Sequence, residues 1–159
     1  MPLFQSHGVQ VIHKAVPVRH ALKAESLGVD AVSIGGFECA GHPGEDDIGG
    51  LVLIPAAVDK LTIPVIASGG IVDSRGFIAT LALGDEAVNM GTRFVATAES
   101  PMHENLKRAI AENSQQSTNV VFRQFKNSAR IAKNQVSDEI VEIERRQNTT
   151  FADIAQLAS

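Results

Sequence analysis

Ile63-Pro64-Val65-Ile66-Ala67-Ser68-Gly69-Gly70-Ile71 is an apolar run closed by a glycine pair. It reads as a buried strand that hands over to a helix through a tight βα turn. Ala87-Val88-Asn89-Met90-Gly91-Thr92-Arg93-Phe94 repeats the arrangement one unit later. Two such turns on neighbouring strands can offer backbone N–H groups to one phosphate.

Working outward, the same pattern recurs upstream. Val9 to His13 reads as a strand, and Pro17 opens a helix through Leu27, with Val18, Ala21, Leu22 and Leu27 roughly on one face and Gly28 ending it. Asp30 to Ile34 is a second strand, followed by a Gly-rich loop from Gly35 to about Gly50. Leu51 to Leu61 reads as a helix in which Pro55 demands a kink or a late start. Ile63 to Ala67 is the third strand, with a helix from Ser74 to Leu83 ended by Gly84. Ala87 to Met90 is the fourth, leading to Ser100-Pro101 as cap and first residue of a helix to about Asn113.

Strands apolar on both faces with helices between them predict a parallel sheet covered by helices, with right-handed crossovers. The remainder departs from this rhythm. Val120 to Phe125 reads as a short strand, Asn127 to Arg146 as a charged helix, and Thr150 to Ile154 as the start of a last helix. An eight-unit β/α barrel takes about 250 residues. The 159 residues here form a small open α/β sheet or half of such a barrel.

Composition bounds the function. The length fits one domain, and 44% apolar residues supply a core. A formal charge of −4 leaves no footprint for nucleic acid, and the absence of Trp and Tyr removes the usual base-stacking residues. No apolar run is long enough to span a membrane. Met1 to His7 shows neither a basic n-region nor an apolar h-region, so no signal peptide is expected. The single cysteine, Cys39, excludes an internal disulfide and points to a reducing compartment, so a cytoplasmic location is expected.

The loops carry the candidate chemistry. Gly69-Gly70 allows φ > 0 and close approach of a ligand. The alternative is an ordinary βα loop, where glycine is common. Gly91-Thr92 adds a hydroxyl, and the phosphate site of β/α barrels commonly sits at the last two βα loops. His42 lies in Gly41-His42-Pro43-Gly44, past the carboxyl end of a parallel strand, where such sheets bind ligands. A neutral imidazole there could abstract a proton or hold a developing anion; a structural or solvated histidine is the alternative. Lys14 ends the first strand on the same face, either as a solvated lysine or as a cation near a phosphate or an anionic flavin ring.

Other residues read more plainly. Cys39 reads as a small buried filler. Glu38, Glu45, Asp46 and Asp47 match no metal-ligand spacing and read as a solvated acidic loop, so no metal is expected. Arg75 and Arg93 could meet a phosphate or a carboxylate. His7, His13, His20 and His103 carry no motif and read as structural.

Gly36-Phe37-Glu38-Cys39-Ala40-Gly41-His42-Pro43-Gly44, Ile63 to Ile71 and Met90-Gly91-Thr92-Arg93-Phe94 resemble the nitronate monooxygenases, formerly called 2-nitropropane dioxygenases. Val11-Ile12-His13-Lys14 and Val18-Arg19-His20-Ala21 add to the likeness, which covers nearly all of the chain. The resemblance implies a β/α barrel holding non-covalent FMN, with His42 as the catalytic histidine. It implies FMN contacts from Lys14, Gly41, Ser68, Gly69, Gly70, Gly91 and Thr92. The implied reaction oxidises alkyl nitronates with O2 to a carbonyl compound and nitrite, without reduced nicotinamide. The flavin takes one electron from the nitronate, and the histidine deprotonates a neutral nitroalkane.

On that resemblance the chain is a partial (β/α)8 barrel. Strands five to eight and a helical C-terminal extension form a single domain over 1–159, with four β/α units over 1–113 and the extension over 114–159. The family's first four units, including a glycine-rich flavin-contacting segment, have no counterpart here. Where the family commonly has an acidic or amide residue, this chain has Gly35. Met1-Pro2-Leu3-Phe4 reads like the interior of a longer protein. An open half-barrel exposes two strand edges, so the chain is expected to pair with another half, a homo-oligomer included, or to aggregate.

The expected partners are a nitronate or nitroalkane and O2, with neither nucleic acid nor membrane. The rival readings are a flavin-dependent enoyl-acyl-carrier-protein reductase, whose histidine loop is similar, and an inactive truncated fragment.

Overall fold

The structure is a computed structural model that describes residues 2–146 and 148–157. Of the domain expected over 1–159, residues 1, 147, 158 and 159 lie outside the described residues. A short helix α1 (Pro2–Gln5) precedes β1 (Ile12–Ala15), α2 (Val18–Ser26), β2 (Ala31–Gly35), α3 (Gly50–Val58), β3 (Val65–Ser68), α4 (Ser74–Ala82) and β4 (Ala87–Asn89). The strands form one parallel sheet in the order β1-β2-β3-β4. Each strand is beside its sequence neighbour, as in a segment of a β/α barrel.

The two faces of the sheet differ. Val32, Ile34 and Val65 pack with Ala21 and Ala24 of α2 and Leu53 and Ala57 of α3 in the main core. Each fully buried Val, Ile or Leu contributes about 1.5–3 kcal/mol. Ala67 joins Ile54 and Ile71 in an adjoining cluster. The opposite face carries Lys14, Ser33, Ser68 and Asn89 at paired positions, because side chains alternate along each strand. It is therefore not apolar on both faces. On the outer strands β1 and β4, Ile12, His13, Lys14, Ala87 and Asn89 are exposed.

Local chemistry sets the element ends. Gly28 and Gly84 adopt φ of +82° and +97° just past α2 and α4. Asp73 caps α4, its carboxylate accepting from the Arg75 and Gly76 amides at 2.9 and 3.4 Å. Pro55 lies inside α3, which starts at Gly50; its missing N–H falls opposite the carbonyl of exposed Leu51. Leu27 is 54% exposed and Ala24 takes the buried place on α2, since Leu27 has already left the helical turn.

The second half departs further from expectation. After β4 come α5 (Thr92–Val95) and α6 (Glu104–Glu112). Ser100-Pro101 does not start α6. The Ser100 hydroxyl accepts the Met102 amide in a turn, and His103 caps the helix by accepting from the Asn105 amide at 3.1 Å. β5 (Thr118–Val121) pairs antiparallel with β6 (Ala129–Ala132), followed by α7 (Gln135–Glu144). The expected helix over 127–146 is thus a strand and then a helix. Asn134 and Ser137 form the reciprocal cap that begins α7. Val121, Ala129, Ile140 and Ile154 make a separate small core beneath this hairpin. Thr150 begins only a single 3₁₀ turn, Phe151–Asp153.

Candidate functional site

The strands end level on the carboxyl side. Gly35 pairs with Ser68, and Ser68 pairs with Asn89, so the turns after β3 and β4 emerge side by side. Gly69 and Gly70 sit at φ of +90° and +72°, as a tight turn requires. The amides of Gly69, Gly70 and Gly91 donate to no acceptor among the described residues. Such free N–H groups can bind an anion. A Cβ at Gly91 would meet nothing within 4 Å, so that backbone is open to approach.

The glycine pair has a second cause. A Cβ on Gly69 would lie 2.8 Å from the Cys39 Cβ and 2.9 Å from its nitrogen; one on Gly70 would lie 2.9 Å from the Glu38 Cβ. The histidine-bearing loop therefore packs directly on the β3 turn. Cys39 is buried there as a filler, and burial pushes its thiol pKa up, with Lys14 and Arg130 pulling the other way. The Lys14 Cε lies 3.7 Å from where a Gly35 Cβ would stand, and the Ser68 Oγ lies 3.3 Å from it. Lys14, Gly35, Cys39, Ser68, Gly69 and Gly70 thus meet at one place. The buried Ser68 hydroxyl donates to the Ile34 carbonyl at 3.1 Å.

Gly41 takes φ +73°, and exposed His42 follows it while Pro43 is fully buried. The acidic residues of this loop are exposed but each has a specific partner, unlike a merely solvated run. Glu38 accepts the Gly50 amide at the start of α3 at 3.0 and 3.2 Å. Glu45 accepts the Ser128 amide and hydroxyl at 2.8 and 2.7 Å. Asp46 pairs with Arg19 at 3.3 Å, and Asp47 pairs with Arg123.

Gly41 and Arg130 exchange backbone hydrogen bonds across an antiparallel bridge, at 3.1 and 2.6 Å. The Arg130 guanidinium donates to the Phe37 carbonyl at 3.0 and 3.3 Å and lies 4.6 Å from the centre of the Phe37 ring. Arg130 and Ser128 were invisible to sequence reasoning, because their partners lie 83 to 93 residues away.

Arg75 is occupied by Asp73, and its guanidinium holds that carboxyl down to about 2. Arg93 is exposed and has no ion pair among the described residues. His7 contacts the Leu3 carbonyl and Ser6, and His103 is the α6 cap. His13 and His20 border a shallow cleft with Lys23 and Leu27, away from the turns; a second cleft lies between α2 and α3. No helix of the described residues is long and apolar enough to cross a membrane.

Comparison with known proteins fits this geometry. The family model for nitronate monooxygenase matches residues 3–157. A probable nitronate monooxygenase of Staphylococcus aureus is 37% identical over 145 residues, covering 86% of this chain and 41% of the relative. The solved structure of FabK from Thermotoga maritima matches with a TM-score of 0.87 at 37% identity, over 98% of this chain and 47% of that one. A nitroalkane oxidase from Streptomyces ansochromogenes matches with a TM-score of 0.72 at 34% identity, over 82% of this chain and 40% of that one. The chain thus spans less than half the length of these proteins, and its fold is a partial β/α barrel. It belongs to the nitronate monooxygenase family, a family of flavin-dependent oxidoreductases.

Proposed function

We propose that this family member contributes the phosphate cradle and the base of an FMN-dependent nitronate monooxygenase, which converts alkyl nitronates and O2 to a carbonyl compound and nitrite. The observation that carries the reading is the set of unpartnered amides at Gly69, Gly70 and Gly91 on two adjacent βα turns. These amides and the Thr92 hydroxyl would hold the FMN phosphate, with Gly41 and Ser68 beside it and Lys14 supplying a cation near the ring. FMN, when bound, supplies electron acceptance from the nitronate and electron return to O2. The exposed His42 imidazole accepts the α-proton of a neutral nitroalkane; an anionic nitronate needs no such step.

The test is His42→Asn in the chain supplied with FMN. Nitroalkane turnover should fall by about 10²–10⁴-fold, the contribution of a positioned base. Nitronate turnover and flavin absorbance should persist. A variant that lost FMN yet kept nitroalkane chemistry would overturn the assignment of roles. A second reading, a flavin-dependent enoyl-acyl-carrier-protein reductase, is favoured by the Ala40-Gly41-His42 loop. Oxidation of NADH or NADPH with an enoyl thioester, without nitrite release from a nitronate, would select it. A colourless protein that takes up no FMN would select the inactive fragment instead.

A further inference from the structure

We propose that Arg130, Ser128 and Glu45 are positioning residues for His42, and that holding this histidine is the role of the β5-β6 extension. The proposal rests on the reading of His42 as the base only for its catalytic consequence; the geometric part stands alone.

His42 follows a glycine at φ +73° in a loop that contains no strand or helix. Nothing within such a segment fixes the direction of an exposed side chain. The fixation comes from outside. The Gly41–Arg130 bridge extends the β5-β6 pair by one further strand position, directly before His42. Glu45 is gripped three residues after His42 by both the amide and the hydroxyl of Ser128, which is 2% exposed. Arg130 grips the other side at Phe37, by two hydrogen bonds to its carbonyl and by stacking over its ring. Its remaining nitrogen reaches the Thr118 hydroxyl at 3.0 Å, tying the grip to β5.

The loop is therefore anchored on both sides of His42 to one short segment, Ser128-Ala129-Arg130. Ala129 is buried in the small core with Val121, Ile140 and Ile154, which makes that segment a rigid platform. A side chain set by packed neighbours holds a reacting geometry that a free loop does not.

The experiment compares Glu45→Ala, Glu45→Gln and Arg130→Ala in the full chain. Glutamine keeps an oxygen for the Ser128 amide and an NH2 for its hydroxyl, so it should rescue; alanine should not. The first readout needs no flavin. The ring proton resonance of His42 should shift in Glu45→Ala and Arg130→Ala and return in Glu45→Gln, with His7, His13, His20 and His103 unmoved. Exchange of the Gly41 amide should quicken by about tenfold or more in the two alanine variants. The second readout is the ratio of nitroalkane to nitronate turnover with FMN. It should fall by about ten- to a hundredfold, because only proton abstraction depends on where His42 stands.

A His42 resonance unchanged in both alanine variants, or five histidines shifting together, would overturn the proposal. So would an equal loss of both activities, the mark of general destabilisation. If the wild-type chain releases no nitrite while the His42 signature appears, the positioning holds and the functional reading fails.

Discussion

Replacing Gly69 by alanine tests how the histidine loop is seated. Two effects add. The residue sits at φ +90°, where a Cβ costs about 1–2 kcal/mol. That Cβ would also stand 2.8, 2.9 and 3.0 Å from the Cβ, nitrogen and Cα of Cys39. Two of those atoms are backbone, so relief requires moving the loop itself. Overpacking of this kind costs about 1–3 kcal/mol. The total is about 2–5 kcal/mol, which at a urea slope of about 2 kcal/mol/M lowers the unfolding midpoint by about 1–2.5 M.

Gly91→Ala is the internal control. Its φ is −95° and its Cβ would meet nothing within 4 Å, so its midpoint should move by no more than about 0.5 kcal/mol's worth. Cys39→Ala should not rescue Gly69→Ala, because the conflict is with the Cβ and backbone of Cys39 and not with its sulfur. Equal midpoints for Gly69→Ala and wild type would refute the packing of the loop on the β3 turn. So would rescue by Cys39→Ala.

Three further outcomes follow from charge and exposure. Asp85 is buried with neither carboxylate oxygen hydrogen-bonded among the described residues, and burial pushes its pKa up, with the Thr80 hydroxyl and Ala67 amide nearby partly opposing. A raised folded pKa means stability is fullest below the ordinary carboxylate value and is lost as pH rises through the folded one. Asp85→Asn should therefore raise stability at pH 7 by about 1 kcal/mol and flatten that loss, read from urea midpoints at several pH values.

Asp73 behaves oppositely: the Arg75 guanidinium, then the Arg75 and Gly76 amides, hold its carboxyl down to about 2. Its contribution is present above 3.8 and vanishes as pH falls through about 2, so Asp73→Asn should cap the helix but remove that acid-side slope. Finally, β1 and β4 are open edges, and Ile12, Ile78 and Phe94 are 60%, 64% and 59% exposed. Size-exclusion chromatography should show elution that moves earlier with concentration, whereas one monomeric position throughout would count against edge pairing.

Much of the sheet was legible because its signals are local. Each apolar run became a strand within two or three residues, and Gly28, Gly84 and the Gly69-Gly70 pair took the left-handed backbone their positions imply. Lys14, Ser68 and the glycine turns meet because parallel register brings successive strand ends level. The C-terminal segment was not legible, for the opposite reason. Ala129-Arg130-Ile131-Ala132 is only four residues long, with two alanines that favour strands little, inside a charged stretch. It is a strand because β5 lies on one side and Gly41 on the other. Pairing between distant segments overrides local propensity.

The glycine turns show the division most clearly. By itself the sequence determined that Gly69-Gly70 and Gly91 lie in turns after parallel strands, since βα alternation demands crossovers and, at Gly69 and Gly70, glycine alone tolerates φ > 0 cheaply. Only the tertiary structure decided why two of them are glycine: Cys39 and Glu38 of the histidine loop occupy the space a side chain would need. It alone decided, too, that Glu45, Asp46 and Asp47 are fasteners and that Ser128 and Arg130 bracket His42. Those contacts join residues far apart in the chain, and no local pattern records which distant groups a folded backbone will bring within 3 Å.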